Sequence, residues 1–145
     1  LALGGWTSSN YAATACPDFP KCQDAWWPQT NYGDAFVPWR GLGINYEGGV
    51  LDHPARIAVH LTHRLGAIVA AIALLYASIV VLRERRDTAA RASAIAVHVT
   101  LTLQLLIGIF MVLRGFPLWL ATLHNAGAAA LLLAVVALNR ALRPA

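Results

Sequence analysis

Histidines inside apolar runs are the first residues that could do chemistry in this sequence: His60, His63, His98 and His124. An ionisable ligand at membrane depth is costly and usually has a task. Counted from Pro54, His63 lies nine residues along its run, and counted from Pro117, His124 lies seven along its own. At the helical rise, both sit about 10 to 14 Å in from one end. Two neutral imidazoles at like depth on neighbouring helices are what a six-coordinate heme iron needs, one for each axial face. The pair therefore predicts a bis-histidine b-type heme, with hydrogen-bonded packing as the plainer reading of either histidine alone.

The other candidates rank around that pair. His98 lies about 22 Å from the same end on a helix running the other way, so it is a poor partner. His60 precedes His63 by three residues and shares its helix face, as a supporting group or a rival ligand. Arg64 follows His63, and its planar donor fork suits a heme propionate, unless it snorkels outward to water. Ala121, Ala126, Gly127, Ala128, Ala129 and Ala130 surround His124 and would admit either a flat macrocycle or a neighbouring helix. In Cys16-Pro17-Asp18-Phe19-Pro20-Lys21-Cys22 two prolines can bend the chain back, and the spacing is not that of a Cys-x-x-Cys site. A disulfide is the first reading, as a staple or a redox-active pair.

The elements that must position these residues are membrane helices. Of 145 residues 58% are hydrophobic and only 12% charged, beyond what an ordinary soluble domain carries. Ile57 to Leu82 is broken only by Arg64, and Ala92 to Leu113 and Gly115 to Asn139 carry no charge. Each can cross as a helix, and the boundaries are placed at 57–82, 92–113 and 117–139. Pro54 and Pro117 suit first helical turns, where a missing donor costs nothing. The segment 1–5 reads as the tail of a further helix, and the chain as an excerpt of a longer protein without a signal peptide.

The expected fold class is all-α, a polytopic transmembrane helix bundle of three full spans, the tail of a fourth, and a long extracytoplasmic loop over 6–53. Arg83, Arg85, Arg86 and Arg91 crowd one short link, and Arg140 and Arg143 follow the last span, so both ends are read as cytoplasmic. The formal charge of +4 is then mostly topology, and no nucleic acid partner is expected. Trp6, Trp26, Trp27 and Trp39, with Pro17, Pro20, Pro28 and Pro38, fit an outer loop packed at the membrane interface. No paired carboxylates, nucleophile and base set or glycine-rich phosphate loop points to small soluble substrates.

Taken in order, Gly4-Gly5-Trp6-Thr7-Ser8-Ser9-Asn10-Tyr11-Ala12, the Cys16 to Cys22 loop, Trp26-Trp27-Pro28, Tyr46-Glu47-Gly48-Gly49, His60-Leu61-Thr62-His63-Arg64-Leu65-Gly66-Ala67 and Pro117-Leu118-Trp119-Leu120-Ala121-Thr122-Leu123-His124-Asn125-Ala126-Gly127 resemble the bacterial heme A synthase family. The resemblance runs along nearly the whole chain and is to the second of two similar four-helix halves. It implies oxidation of a heme O methyl group to the formyl group of heme A, for oxidase biogenesis, in the cytoplasmic membrane. It implies a heme b ligated by His63 and His124 in this half, a cysteine pair in the outer loop that is structural, and a substrate heme in the other half. There a glutamate stands three residues before the ligand histidine. Here that position is His60, so the chain is expected to serve electron transfer, with its missing N-terminal half and the bilayer as partners. A homo-oligomer stays open. The alternative is a non-catalytic bis-histidine membrane cytochrome or heme-carrying anchor subunit, and a helical packing protein without a cofactor is a third class.

Overall fold

The computed structural model describes residues 1–41 and 47–143, and Tyr46 of the quoted stretches lies outside them. Among the described residues every regular element is helical: α1 (Ala2–Ser9), a 3-10 turn (Ala13–Ala15), α2 (Tyr32–Ala35), α3 (His53–Glu84), α4 (Thr88–Leu113) and α5 (Leu118–Ala141). The expected all-α class is what the chain adopts. The helices α3, α4 and α5, of 32, 26 and 24 residues, are long and apolar enough to cross a membrane. At 1.5 Å per residue they reach about 48, 39 and 36 Å, against a hydrocarbon core of about 30 Å. Ile68, Val69, Ile72 and Tyr76 on α3 and Leu133 and Val136 on α5 are exposed, a surface that only an apolar solvent would tolerate.

The helix starts follow from local side chains. Asp52 Oδ1 accepts from the Ala55 N–H at 2.8 Å, and Asp87 Oδ2 accepts from the Ala90 N–H at 2.8 Å. Each carboxylate satisfies a first-turn donor that the helix itself leaves unpaired. Pro54 falls in the first turn of α3, while Pro117 caps α5 at φ −63°. The cap comes a residue before the helix because Gly115 (φ 69°) and Phe116 (φ 61°) turn the chain in the left-handed region first. Between α3 and α4 the link is short, and Arg91 Nη1 donates to the Leu82 carbonyl at 2.6 Å.

Two compact units divide the described chain. In the first, residues 1–66 with 112–116, Ala12, Ala35, Leu51, Ala55, Ala58 and Val59 form one buried cluster with Trp6 against it. Ala15, Cys16, Cys22, Ile57 and Leu61 form another. Trp6 Nε1 donates to the Ala35 carbonyl at 2.8 Å and its ring stacks on Phe36. The segment after α1 is thus tied to α3 by its own core. Trp26, Trp27 and Trp39 stay largely exposed. In the second unit, residues 67–111 with 117–145, Val81 of α3, Ala90, Ala94 and Val97 of α4, and Ala134 and Leu138 of α5 share a core. Its small side chains let the helix backbones approach closely.

Candidate functional site

In the first unit α1 lies against α3 at two glycines. A Cβ on Gly4 would stand 3.4 Å from His63 Cε1, and a Cβ on Gly66 would stand 2.6 Å from Leu3 Cδ1. The imidazole edge of His63 therefore rests on bare backbone. His60, one turn earlier, is only 4% exposed. Its Nδ1 lies 3.1 Å from the Ala12 carbonyl, which can only accept, so Nδ1 carries the proton. Phe116 meets the His60 ring edge-on, with centroids 6.2 Å apart. His60 is thus committed through one nitrogen to the backbone that follows α1.

Arg64 is tied to the loop by three hydrogen bonds. Nη1 donates to the Lys21 carbonyl at 2.8 Å, and Nη2 donates to the carbonyls of Asp18 at 2.8 Å and Cys16 at 3.2 Å. Its guanidinium carbon lies 5.6 Å from the centroid of the Phe19 ring. All of these partners belong to the segment closed by the Cys16–Cys22 disulfide, whose Cα atoms are 4.7 Å apart. The bond is present as the cysteine spacing predicts, and Arg64 fastens the loop it closes to α3. Across that loop Asp18 Oδ1 accepts from the Gln23 N–H at 2.7 Å and Oδ2 from the Asp24 N–H at 3.0 Å. Desolvation pulls the Asp18 pKa upward, but the Asp24 and Gln23 amides, its own amide and the Arg64 charge outweigh it and hold the carboxyl below the usual carboxylate range.

The second unit holds His124 in an interlock between α4 and α5. Gln104 Nε2 lies 3.3 Å from Nδ1 and 3.2 Å from Nε2 of His124. A Cβ on Gly108, one turn along α4, would stand 3.0 Å from His124 Cε1. On α5 a Cβ at Gly127 would collide with Gln104 Oε1. Each helix thus receives the polar side chain of the other onto a glycine, which is how membrane helices draw close enough to hydrogen-bond. Gln104 Oε1 is buried and has no hydrogen-bond partner. His98 bonds within its own helix, Nδ1 lying 3.3 Å from the Ala94 carbonyl.

Each sequence candidate thus has a local setting. The structure joins His60, Arg64 and the cysteines to the loop core, sets His63 against α1, and sets His124 against α4. Sequence reasoning passed over Gln104 and Gly108, and it named Gly4 and Asp18 without giving them a role. The available signal for Gln104 was a side-chain amide inside an uncharged span, where polar groups usually seek a partner on another helix. Among the described residues no three of His, Cys, Asp and Glu come together to hold a bare metal ion. A heme iron brings its own equatorial nitrogens and asks the protein for only two ligands. An imidazole on α3, another on α5 and the unpartnered Gln104 acceptor beside His124 are donor and acceptor types that fit that group.

Residues 1–136 match the family model COX15-CtaA, described as cytochrome oxidase assembly protein. The chain is 42% identical to heme A synthase of Shewanella oneidensis over 139 residues, 96% of this chain and 41% of that protein. It is 31% identical to heme A synthase of Sphingopyxis alaskensis over 141 residues, covering 94% of this chain and 34% of the relative. Heme A synthase of a Caulobacter species is 33% identical over 131 residues, 90% of this chain and 35% of the relative. The chain therefore spans less than half the length of these curated relatives. No solved structure gives a significant match. Matched along most of its length by this family and at 42% identity by one of the synthases, the chain belongs to the heme A synthase family of cytochrome oxidase assembly proteins.

Proposed function

We propose that this chain is the heme b-holding, electron-transfer half of a heme A synthase, with His63 and His124 as the axial ligands. The observation that carries the reading is that the family match runs over two histidines in helices long and apolar enough to cross a membrane, each with its ring edge on a glycine of another helix. Bound there, heme b would supply a reversible one-electron carrier. The chain's own part is to hold it: His63 and His124 would each supply one ring nitrogen, Gly4 and Gly108 leave room for the rings, and apolar helices exclude water. Arg64, beside His63, carries the charge that a propionate would seek, while its loop contacts keep it at the rim.

In the whole protein the reaction would oxidise a methyl group of heme O to the formyl of heme A, and the electrons released must leave through a carrier. The substrate heme would sit in the part of the relatives that this chain does not cover. His60 takes the place of a carboxylate and bonds to a backbone carbonyl, which favours catalysis in that other part. The proposed location is the bacterial cytoplasmic membrane, with the disulfide loop outside. An oxidised and dithionite-reduced absorption spectrum of the purified protein tests the ligand pair. Sharp low-spin b-type bands, lost in both His63→Ala and His124→Ala, are expected. A heme spectrum unchanged in either variant would overturn the assignment.

A further inference from the structure

The contact between Gln104 and His124 asks for more than helix packing. A neutral imidazole has one donor and one acceptor nitrogen. Gln104 Nε2, 3.3 and 3.2 Å from the two ring nitrogens, donates to whichever one lacks the proton. Ligation removes that possibility: the nitrogen bound to iron has no lone pair left, and the other carries its hydrogen and can only donate. Gln104 already holds the acceptor this requires, since Oε1 is buried without a partner in the same side chain. A half-turn of the terminal amide exchanges the two atoms, and the amide keeps its seat because Gly127 offers no side chain to block it.

We infer that Gln104 is a positioning residue that accepts the free N–H of a ligated His124, and so sets the orientation and basicity of that ligand. The inference rests on His124 being an axial ligand. Second-sphere acceptors of this kind strengthen a histidine as a donor and stabilise the more oxidised metal. The stabilisation reaches full value here because no water competes inside the span. A purely structural glutamine would hold α4 to α5 without touching the redox balance.

The test is a redox titration of the purified protein beside Gln104→Leu, Gln104→Asn and Gln104→Glu. With heme retained, the Leu variant should titrate at a higher midpoint potential than wild type, because the ferric state has lost its acceptor. The Asn variant should shift upward with it, since it keeps the amide's polarity but is too short to reach the ring. The Glu variant keeps length and acceptor, adds charge, and should shift downward; it also serves if the Leu variant does not fold. Heme bound in all variants at one common potential would sink the inference and leave the ligand pair standing. Wild-type heme that survives His124→Ala would instead sink the ligand reading, and the inference with it.

Discussion

At the scale of single residues, most of the polar side chains named above have been given a local partner by the fold. Arg64 spends its donors on three carbonyls, and Asp18 accepts two backbone amides from residues in left-handed conformation, Gln23 at φ 55° and Asp24 at φ 58°. Left-handed backbone is unfavourable for such residues, and the two amide bonds offset part of that cost. The Asp18 carboxyl is held below its ordinary range. A group with a lowered folded-state pKa stabilises fully above its unfolded value and loses that contribution as the pH falls through the folded one. Protection at Gln23 and Asp24, measured against the intrinsic exchange rate at each pH, should therefore fall as the pH drops below the normal carboxylate range. Asp18→Asn should show low protection at neutral pH with little further change on acidification. Protection that is flat with pH in the native protein would remove the carboxylate from this role.

At the scale of elements, glycines decide which helix faces meet. Gly4 and Gly66 face each other's helices where α1 meets α3, and Gly108 and Gly127 do so where α4 meets α5. Gly108→Val puts branched carbons where His124 Cε1 would lie 3.0 Å from a Cβ. An overpacked contact of this kind costs about 1–3 kcal/mol. The unfolding transition in detergent should fall accordingly, with Gly108→Ala milder. Gly5→Ala, whose Cβ would meet nothing within 4 Å, should leave the transition in place. An unmoved Gly108→Val transition would mean that α4 and α5 are not locked at this point. The existence of three long apolar helices was legible in the chain because an apolar run is a one-dimensional property. The glycine contacts were not, since nothing along one helix says which glycine another helix will find.

At the scale of the whole molecule, three membrane-crossing helices and the arginine distribution make a topological prediction. The described residues hold no free cysteine, so an introduced thiol is a clean reporter. Gln29→Cys, exposed in the disulfide-bearing segment, should react with an impermeant maleimide added to intact cells. Arg86→Cys, exposed between α3 and α4, should react only after the membrane is opened. The reverse pattern would invert the orientation read from Arg83, Arg85, Arg86 and Arg91.

Composition and periodicity alone were enough for the all-helical class, the three helices long and apolar enough to span, and the closeness of Cys16 to Cys22, because each depends on residue type and spacing along the chain. Tertiary structure alone decided what each side chain touches. It turned Arg64 to the loop carbonyls and committed His60 to Ala12, and it brought Gln104 of α4 against His124 of α5. The physical reason is that a hydrogen bond across elements is chosen by burial: a polar group removed from water takes whatever partner the packing leaves within reach. Which partner that is becomes defined only when the helices have met.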